Sequence, residues 1–131
     1  MLVEGEDRWV AGIRGAQVVS VGRRSGSRVV GFAHGIELKM DGPVLLTHGS
    51  APTPGVASLP DEDLERLRGA TVLSMVLFKS GSLRLVFDTG HHLNVDGSAP
   101  NVETRFVKPG EFEWIGRRGA GVLRMLDPDF G

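Results

Sequence analysis

The chain has no cysteine, no tyrosine and no long apolar run among its 131 residues. Without cysteine there is no disulfide framework, no thiolate nucleophile and no cysteine metal site, and a reducing cytosol is the natural compartment. No stretch approaches the roughly 18 apolar residues of a membrane span, and Met1 to Arg8 carries three acids instead of a signal-peptide core. We therefore predict a cytoplasmic protein that does not enter a membrane, with residues 1–131 forming one domain.

The sequence also lacks the common motifs of nucleotide-binding and acyl-transfer enzymes. It contains no phosphate-binding glycine loop before a helix, no G-x-S-x-G turn and no zinc-protease helix. We therefore predict no catalytic residue, no metal ligand and no cofactor, and no motif supports an enzymatic activity.

Thirty residues of the chain occur twice. The segment from Ile13 to Gly42 returns as Leu67 to Gly97 with one inserted residue, and thirteen of the thirty positions are identical. Duplication of one supersecondary unit explains this pattern, because such a unit buries its apolar face by packing on its copy. The shared residues are mainly glycines, aliphatics and turn-forming Ser and Asp, so the repeat predicts architecture and not chemistry. The expected core equivalents are Val18 with Val72, Phe32 with Phe87, and Leu38 with Leu93.

Each copy has the pattern of a three-stranded meander. Runs of β-branched or alternating residues are separated by short turns that contain glycine, as at Ser25-Gly26 in the first copy and Ser80-Gly81 in the second. A glycine in these turns suits a residue of positive φ. We expect the two meanders to be related by pseudo-twofold symmetry.

A linker and a short helix are expected between the copies, over residues 43–66. The linker, Pro43 to Pro60, contains four prolines, and each lacks the amide that a central strand needs, so a loop is expected. Ser58 then begins an S-x-x-D pattern, and Asp61 to Asp63 place negative charge where a helix N-terminus is positive. These features predict one short helix before the second copy.

Three further strands are expected over residues 101–126, namely Val102 to Val107, Phe112 to Arg117 and Gly121 to Leu126. The predicted fold class is therefore all-β with one short helix. About nine strands form a small barrel or sandwich, built from the two meanders of residues 13–42 and 67–97 and a C-terminal β extension.

The same motifs resemble those of a known family. Both copies contain RGA, SGS and a closing DG, and the strongest stretch is LRGATVLSMVLFKSGSLRLVFDTGHHLNVDG, followed by the tail VETRFVKPGEFEWIGRRGAGVLRM. From Ile13 to Met125 the chain resembles a bacterial, largely actinobacterial, family of small all-β proteins catalogued as a domain of unknown function, number six-one-eight-eight. Family members commonly have aromatic-Glu-Ala-Trp where this chain has Val102-Glu103-Thr104-Arg105. The resemblance implies the fold and implies no activity.

An aspartate triplet and the histidines invite a catalytic interpretation. Asp88-Thr89-Gly90 resembles the active-site triplet of a retroviral-type aspartic protease, but Ile115 follows too soon to leave room for the flap of that fold, and Asp-x-Gly turns are common without catalysis. His91 and His92 are neighbours on a predicted strand, so their side chains point to opposite faces.

Structural roles also explain the other two histidines and the aspartates of the two DG turns. His34 lies in a predicted hairpin turn and His48 in the linker, with no partner at ligand spacing. Asp41 and Asp96 occupy equivalent turns, which explains them without acid–base chemistry. Surface and turn roles are therefore expected for all four residues.

Charge is uneven along a chain whose net charge is only −1. Residues 8–39 hold six bases and one acid. A nucleic-acid face on a small barrel would use bases of this first copy, namely Arg14, Arg23, Arg24 and Arg28. Only eight aromatic residues are present and most are expected in the core, so few remain for base stacking, and nucleic acid is the less favoured partner. A small-molecule or hydrolytic role for His91, His92 and Asp88 in a barrel mouth is a further alternative.

The favoured function is a non-enzymatic protein-binding module, such as an immunity or adaptor protein whose partner is a toxin. Small β domains without cofactors or cysteines commonly act by surface complementarity. The oligomeric state is left open between monomer and homodimer. The candidate partner-binding residues are Trp114, Ile115, His48, Arg23 and Arg24.

Overall fold

The protein is a sandwich of two β-sheets. The computed structural model describes residues 2–41, 44–48, 64–98 and 102–126. Within these ranges the strands are β1 (Leu2–Glu4), β2 (Arg8–Ala11), β3 (Val18–Arg24), β4 (Ser27–Phe32), β5 (Glu37–Met40), β6 (Val44–His48), β7 (Val72–Phe78), β8 (Leu83–Phe87), β9 (His91–Val95), β10 (Thr104–Lys108), β11 (Phe112–Arg117) and β12 (Ala120–Met125).

Six strands form each sheet, and every strand pair is antiparallel. Sheet I has the order β1-β2-β7-β8-β9-β6, and sheet II has the order β12-β11-β10-β5-β4-β3. Neither sheet closes on itself, so of the two predicted architectures the fold is the sandwich and not the barrel. The all-β fold class predicted from the sequence is confirmed.

The two copies of the repeat form the same meander in different sheets. The first copy supplies β3, β4 and β5 to sheet II, and the second supplies β7, β8 and β9 to sheet I. A register shift follows Val18 in β3 and Val72 in β7, so even the irregularity of the first strand is shared. The expected core equivalents are all at most 2 % exposed: Val18, Val72, Phe32, Phe87, Leu38 and Leu93.

Backbone hydrogen bonds join the copies symmetrically at the start of β3 and β7. Gln17 pairs with its own equivalent, Thr71, in an isolated antiparallel bridge. The bonds on either side come in matched pairs. They are Gly15 N to Val72 O (2.8 Å) with Gly69 N to Val18 O (2.9 Å), and Val18 N to Ala70 O (2.8 Å) with Val72 N to Ala16 O (2.8 Å). Equivalent bonds within each copy lie beside them, from Ala33 N to Gln17 O and from Asp88 N to Thr71 O, both at 2.9 Å. A pseudo-twofold axis therefore passes through the Gln17–Thr71 bridge, which we call the junction together with these bonds.

The strand that follows each copy crosses to the sheet of the other copy. After the first copy, β6 pairs with β9 so that Leu46 lies opposite Leu93. After the second copy, β10 pairs with β5 so that Phe106 lies opposite Leu38. The duplicated unit thus has four strands, with the fourth exchanged between sheets.

Three strands were not expected from the sequence. Two of them, β1 and β2, precede the first copy, and β6 occupies part of the segment predicted as a proline-rich loop. Prolines flank this short run on the sequence, and β6 lies at the edge of sheet I, where no further strand needs its amides. The remainder of the loop and the predicted helix start at Asp61 fall outside the described residues. The described chain resumes at Leu64 and forms a 3₁₀ turn, Glu65–Leu67, with Leu64 and Leu67 both buried.

Glycines allow the C-terminal hairpin β11–β12 to pack on sheet I. Gly119 N donates to Gly97 O at 2.9 Å, and Gly121 N donates to Lys79 O at 2.8 Å. A Cβ at Gly116 would overlap the carbonyl oxygen of Gly81 and lie 2.6 Å from the ring of the fully buried Trp114. Two backbones and an indole ring therefore meet here at distances that only glycine permits.

The substitution Gly116→Ala should lower the free energy of unfolding by about 1–3 kcal/mol, because the added methyl group overpacks a rigid contact between backbones. The matched control is Gly22→Ala, in a strand of the same sheet where a Cβ would meet no atom within 4 Å. Urea denaturation of the two variants tests this expectation. An equal effect of both substitutions would contradict the packing assigned to the hairpin.

The paired aromatics of the repeat give a second test. Phe32→Ala and Phe87→Ala should each lower the free energy of unfolding by about 3–5 kcal/mol, because each empties an equivalent place in the core. Val19→Ala, at a residue 52 % exposed, should cost less than about 0.5 kcal/mol. Chemical denaturation compares the three variants, and a small loss at either phenylalanine would show that the copies do not share one core.

Candidate functional site

The five residues predicted to bind a partner do not form one site. Arg23 and Arg24 end β3 at one edge of sheet II, whereas Trp114 and Ile115 lie in β11, next to the opposite edge. His48 ends β6 in sheet I. The structure therefore separates them into three places.

Trp114 does not present its side chain to a partner, which corrects the sequence-based expectation. It faces the core between the sheets and is 0 % exposed, opposite Phe106 on β10 and Leu123 on β12. Because side chains alternate along a strand, Ile115 points to the outer face of sheet II, where it is partly exposed. Of the predicted pair, only Ile115 is accessible.

The outer face around Ile115 is held by an arginine–glutamate–arginine cluster. The side chain of Glu113 is only 7 % exposed. Arg105 donates to its Oε2 through Nε at 2.8 Å and also through Nη2, and Arg124 Nη2 donates to Oε1 at 2.9 Å. Two guanidinium groups on one buried carboxylate leave a net positive charge on this face, and they link β10, β11 and β12.

The edge strand β12 is largely apolar, and beyond Gly121, whose amide bonds Lys79 O, no residue of the described ranges pairs with its outer edge. Val122, which pairs with Ile115, and Met125 are each 65 % exposed. Leu126 N donates to Glu111 O across the hairpin, so alternation along the strand directs the amides of Leu123 and Met125 to the free edge. We call β12 and the outward side chains beside it, Ile115, Arg105 and Arg124, the hairpin surface.

The two arginines at the end of β3 already have partners within the protein. Arg24 makes a bidentate ion pair with Glu37, with distances of 2.8 and 2.9 Å between nitrogen and oxygen. Arg23 Nη1 donates to Gly26 O at 3.0 Å and fixes the β3–β4 turn. Both side chains are exposed, and both are engaged by contacts within the protein.

The structure brings together two histidines that were expected to lie apart. His48 pairs with His91 across β6 and β9, and their rings meet edge to face with centroids 4.9 Å apart. His48 Nε2 lies 3.1 Å from Thr89 O, and His91 Nδ1 lies 2.7 Å from Thr89 Oγ1. No signal in the sequence indicated this contact, because β6 was predicted to be loop. In the described ranges no group of three or more His, Asp or Glu residues could hold a metal ion.

The aspartates that suggested catalysis serve as hydrogen-bond acceptors in turns. Asp88 Oδ1 accepts a hydrogen bond from Thr71 N at 3.0 Å, beside the junction. Asp41 accepts one from Ser27 Oγ. Asp96 accepts from both the amide and the hydroxyl of Ser98, and these bonds lower the pKa of Asp96. Only Asp96 bonds within its own turn, whereas Asp88 and Asp41 each tie a turn to a strand more distant in the sequence.

Histidine protonation should make the fold sensitive to pH near neutrality. Burial, followed by the charges of His48 and Arg66, lowers the pKa of His91 in the folded state. The unfolded chain, with an ordinary pKa of about 6.5, therefore takes up a proton first as pH falls, so the stability that depends on neutral His91 is present above that value and is lost below it.

We expect the melting temperature to fall between about pH 7.5 and about pH 5.5, above the range in which carboxylates titrate. His91→Gln should reduce this fall, whereas His34→Gln, at an exposed residue in the β4–β5 turn, should leave it unchanged. Circular dichroism melts give the measurement. A wild-type melting temperature that rises on acidification would contradict the environment assigned to His91.

Comparisons with known proteins give a family and no function. No helix among the described ranges is long and apolar enough to cross a membrane. No curated protein and no solved structure matches the chain. A family model described as a family of unknown function (DUF6188) matches residues 9–104, from β2 to the first residue of β10. This range includes both copies of the repeat and most of the chain, and the protein therefore belongs to the DUF6188 family.

Proposed function

We propose that the protein is a protein-binding module that receives an extended segment of its partner along the open edge of β12. The observation that carries the proposal is the combination, on one edge strand, of the outward amides of Leu123 and Met125, which no described residue pairs with, and two apolar side chains that are 65 % exposed. An extended peptide that adds to such an edge gains main-chain hydrogen bonds, and its alternate side chains contact the face of the sheet.

Edge strands that are not used for binding are commonly protected by charge, proline or shortness. β1 has only three residues, and β3 ends in Arg23 and Arg24. β12 has six residues and a single charge, Arg124. Its edge is therefore the less protected one of sheet II.

Charge favours an acidic partner segment. Arg105 and Arg124 together exceed the charge of Glu113. At the adjoining turn Arg117 pairs with Glu103 at 3.6 Å, and the exposed Arg118 adds a further positive charge. The same surplus disfavours a second copy of this chain, because pairing β12 with itself would bring like charges together. The proposed occupant is thus an extended segment of another protein that alternates acidic and apolar residues, the mode expected of an immunity or adaptor protein.

Selection of displayed peptides against the full chain tests the proposal. We expect the selected peptides to alternate acidic and β-branched residues and to protect the amides of Leu123 and Met125 from hydrogen exchange. Val122→Glu should weaken binding at least about tenfold, since it removes an apolar contact and repels acidic residues. Val3→Glu, the same change at a valine 56 % exposed on the edge strand of sheet I, is the matched control and should leave binding unchanged.

A second variant tests the backbone alone. Met125→Pro removes an amide that points to the free edge and breaks no bond to β11, so it should weaken the peptide while the fold is retained. Selected peptides that bind elsewhere on the protein, or whose affinity is unchanged by both β12 substitutions, would refute the edge-binding mode. Tight, salt-sensitive binding of nucleic acid that is lost on changing Arg23 and Arg24 to alanine would instead favour the nucleic-acid alternative.

A further inference from the structure

A cleft at the opposite end of sheet II from the β11–β12 turn has no role in the proposed function. It has a volume of about 460 Å³ and lies between the loop that precedes β3, the β4–β5 turn and the β10–β11 turn. Its lining includes the charged side chains of Arg14, Lys108 and Glu111, the imidazole of His34, and the apolar side chains of Ile36 and Pro109. This volume is within the range of small-molecule sites, which are typically about 300–1,000 Å³.

We infer that this cleft binds a small organic anion, with a carboxylate or phosphate group on Arg14 and an apolar body against Ile36 and Pro109. Arg14 is exposed and makes no hydrogen bond or ion pair with any described residue. Lys108, by contrast, is bound to Glu111 at 2.9 Å and its side chain is 19 % exposed. Arg14 is therefore the cation that is available to a ligand.

The repeat supplies an internal comparison for this arginine. Its equivalent, Arg68, is held by both carboxylate oxygens of Glu65, at 2.9 and 3.1 Å, and lies near the carbonyl oxygens of Val19 and Val21. Ala11 stands two residues before the first copy, at the position that Glu65 has before the second. Ala11 is buried at the end of β2, whereas Glu65 begins a 3₁₀ turn, so both the residue and the local backbone differ. The first copy therefore has no acid on its arginine, and the guanidinium of Arg14 stays unpaired among the described residues.

The residues that surround the equivalent turn glycines, Gly35 and Gly90, also differ between the copies. The ring of Pro109 lies 3.6 Å from the position of a Cβ on Gly35, and in the second copy the ring of His48 lies 3.3 Å from the same position on Gly90. His48 there packs on His91, which stands in place of Ile36 of the first copy. Beside Gly90 in the second copy, the space is thus filled by the two histidine rings that contact Thr89. Beside Gly35 in the first copy, Ile36 and Pro109 form an aliphatic wall next to the unpaired Arg14.

Binding of two probes that share one apolar body tests the inference. Phenyl phosphate and benzoate are titrated into the ¹⁵N-labelled full chain, and chemical shift changes are followed by NMR. We expect saturable changes centred on Gly12, Gly15 and Gly35 for at least one probe. The probe that binds identifies the headgroup, and the absence of saturable binding by both would overturn the inference.

Two arginine variants with the same net charge distinguish specific binding in the cleft from nonspecific electrostatic attraction of the probe. Arg14→Gln should weaken the probe at least about tenfold, since a hydrogen-bonded ion pair with the ligand is lost. Arg118→Gln, which removes an exposed arginine in the β11–β12 turn, should leave the affinity unchanged. Equal weakening by both variants would show only nonspecific electrostatics and would overturn the site. The spectrum of each variant without ligand confirms that it is folded.

Discussion

The junction between the two copies is the constraint on which the rest of the fold depends. Its bonds are all between backbone atoms, and each has a partner related by the pseudo-twofold axis through the Gln17–Thr71 bridge. Buried backbone groups must be paired, so the starts of β3 and β7 have no freedom to shift relative to each other. Because these two strands belong to different sheets, the junction fixes how sheet I and sheet II face one another.

Strand exchange follows from this arrangement and positions the candidate surfaces. Since β10 joins the sheet of the first copy, the C-terminal hairpin extends sheet II to a new edge, where β12 is exposed. The same crossing brings the β10–β11 turn beside the β4–β5 turn, where Pro109 approaches Gly35. Both the hairpin surface and the cleft beside Arg14 therefore depend on a strand that the duplicated thirty residues do not include.

The parts of the fold that are predictable from the sequence depend on the residue pattern within each segment. The remaining parts depend on pairing between strands that are distant in the sequence. The meanders, their turns and the burial of Phe32 and Phe87 follow from period-two alternation and from repeated glycines. The inward side of Trp114 depends on the register of β11 against β10, since a slip of one residue would turn it outward and Ile115 inward. Likewise, His48 meets His91 only because β6 adds to the edge of sheet I, and no local signal near a proline-rich segment reveals that pairing.

A junction made of backbone atoms also explains how the two copies became different. The symmetric bonds do not depend on side-chain identity, so Gln17 faces Thr71 without loss of the pairing. Side chains near the equivalent ends were therefore free to change while the architecture was kept. In one copy an acid neutralises the shared arginine and two histidine rings fill the adjoining space, and in the other the arginine stays unpaired beside an aliphatic wall. The backbone before the shared arginine also differs, since Ala11 ends β2 whereas Glu65 begins a 3₁₀ turn, and the inferred ligand site therefore rests on the unpaired guanidinium beside an aliphatic wall.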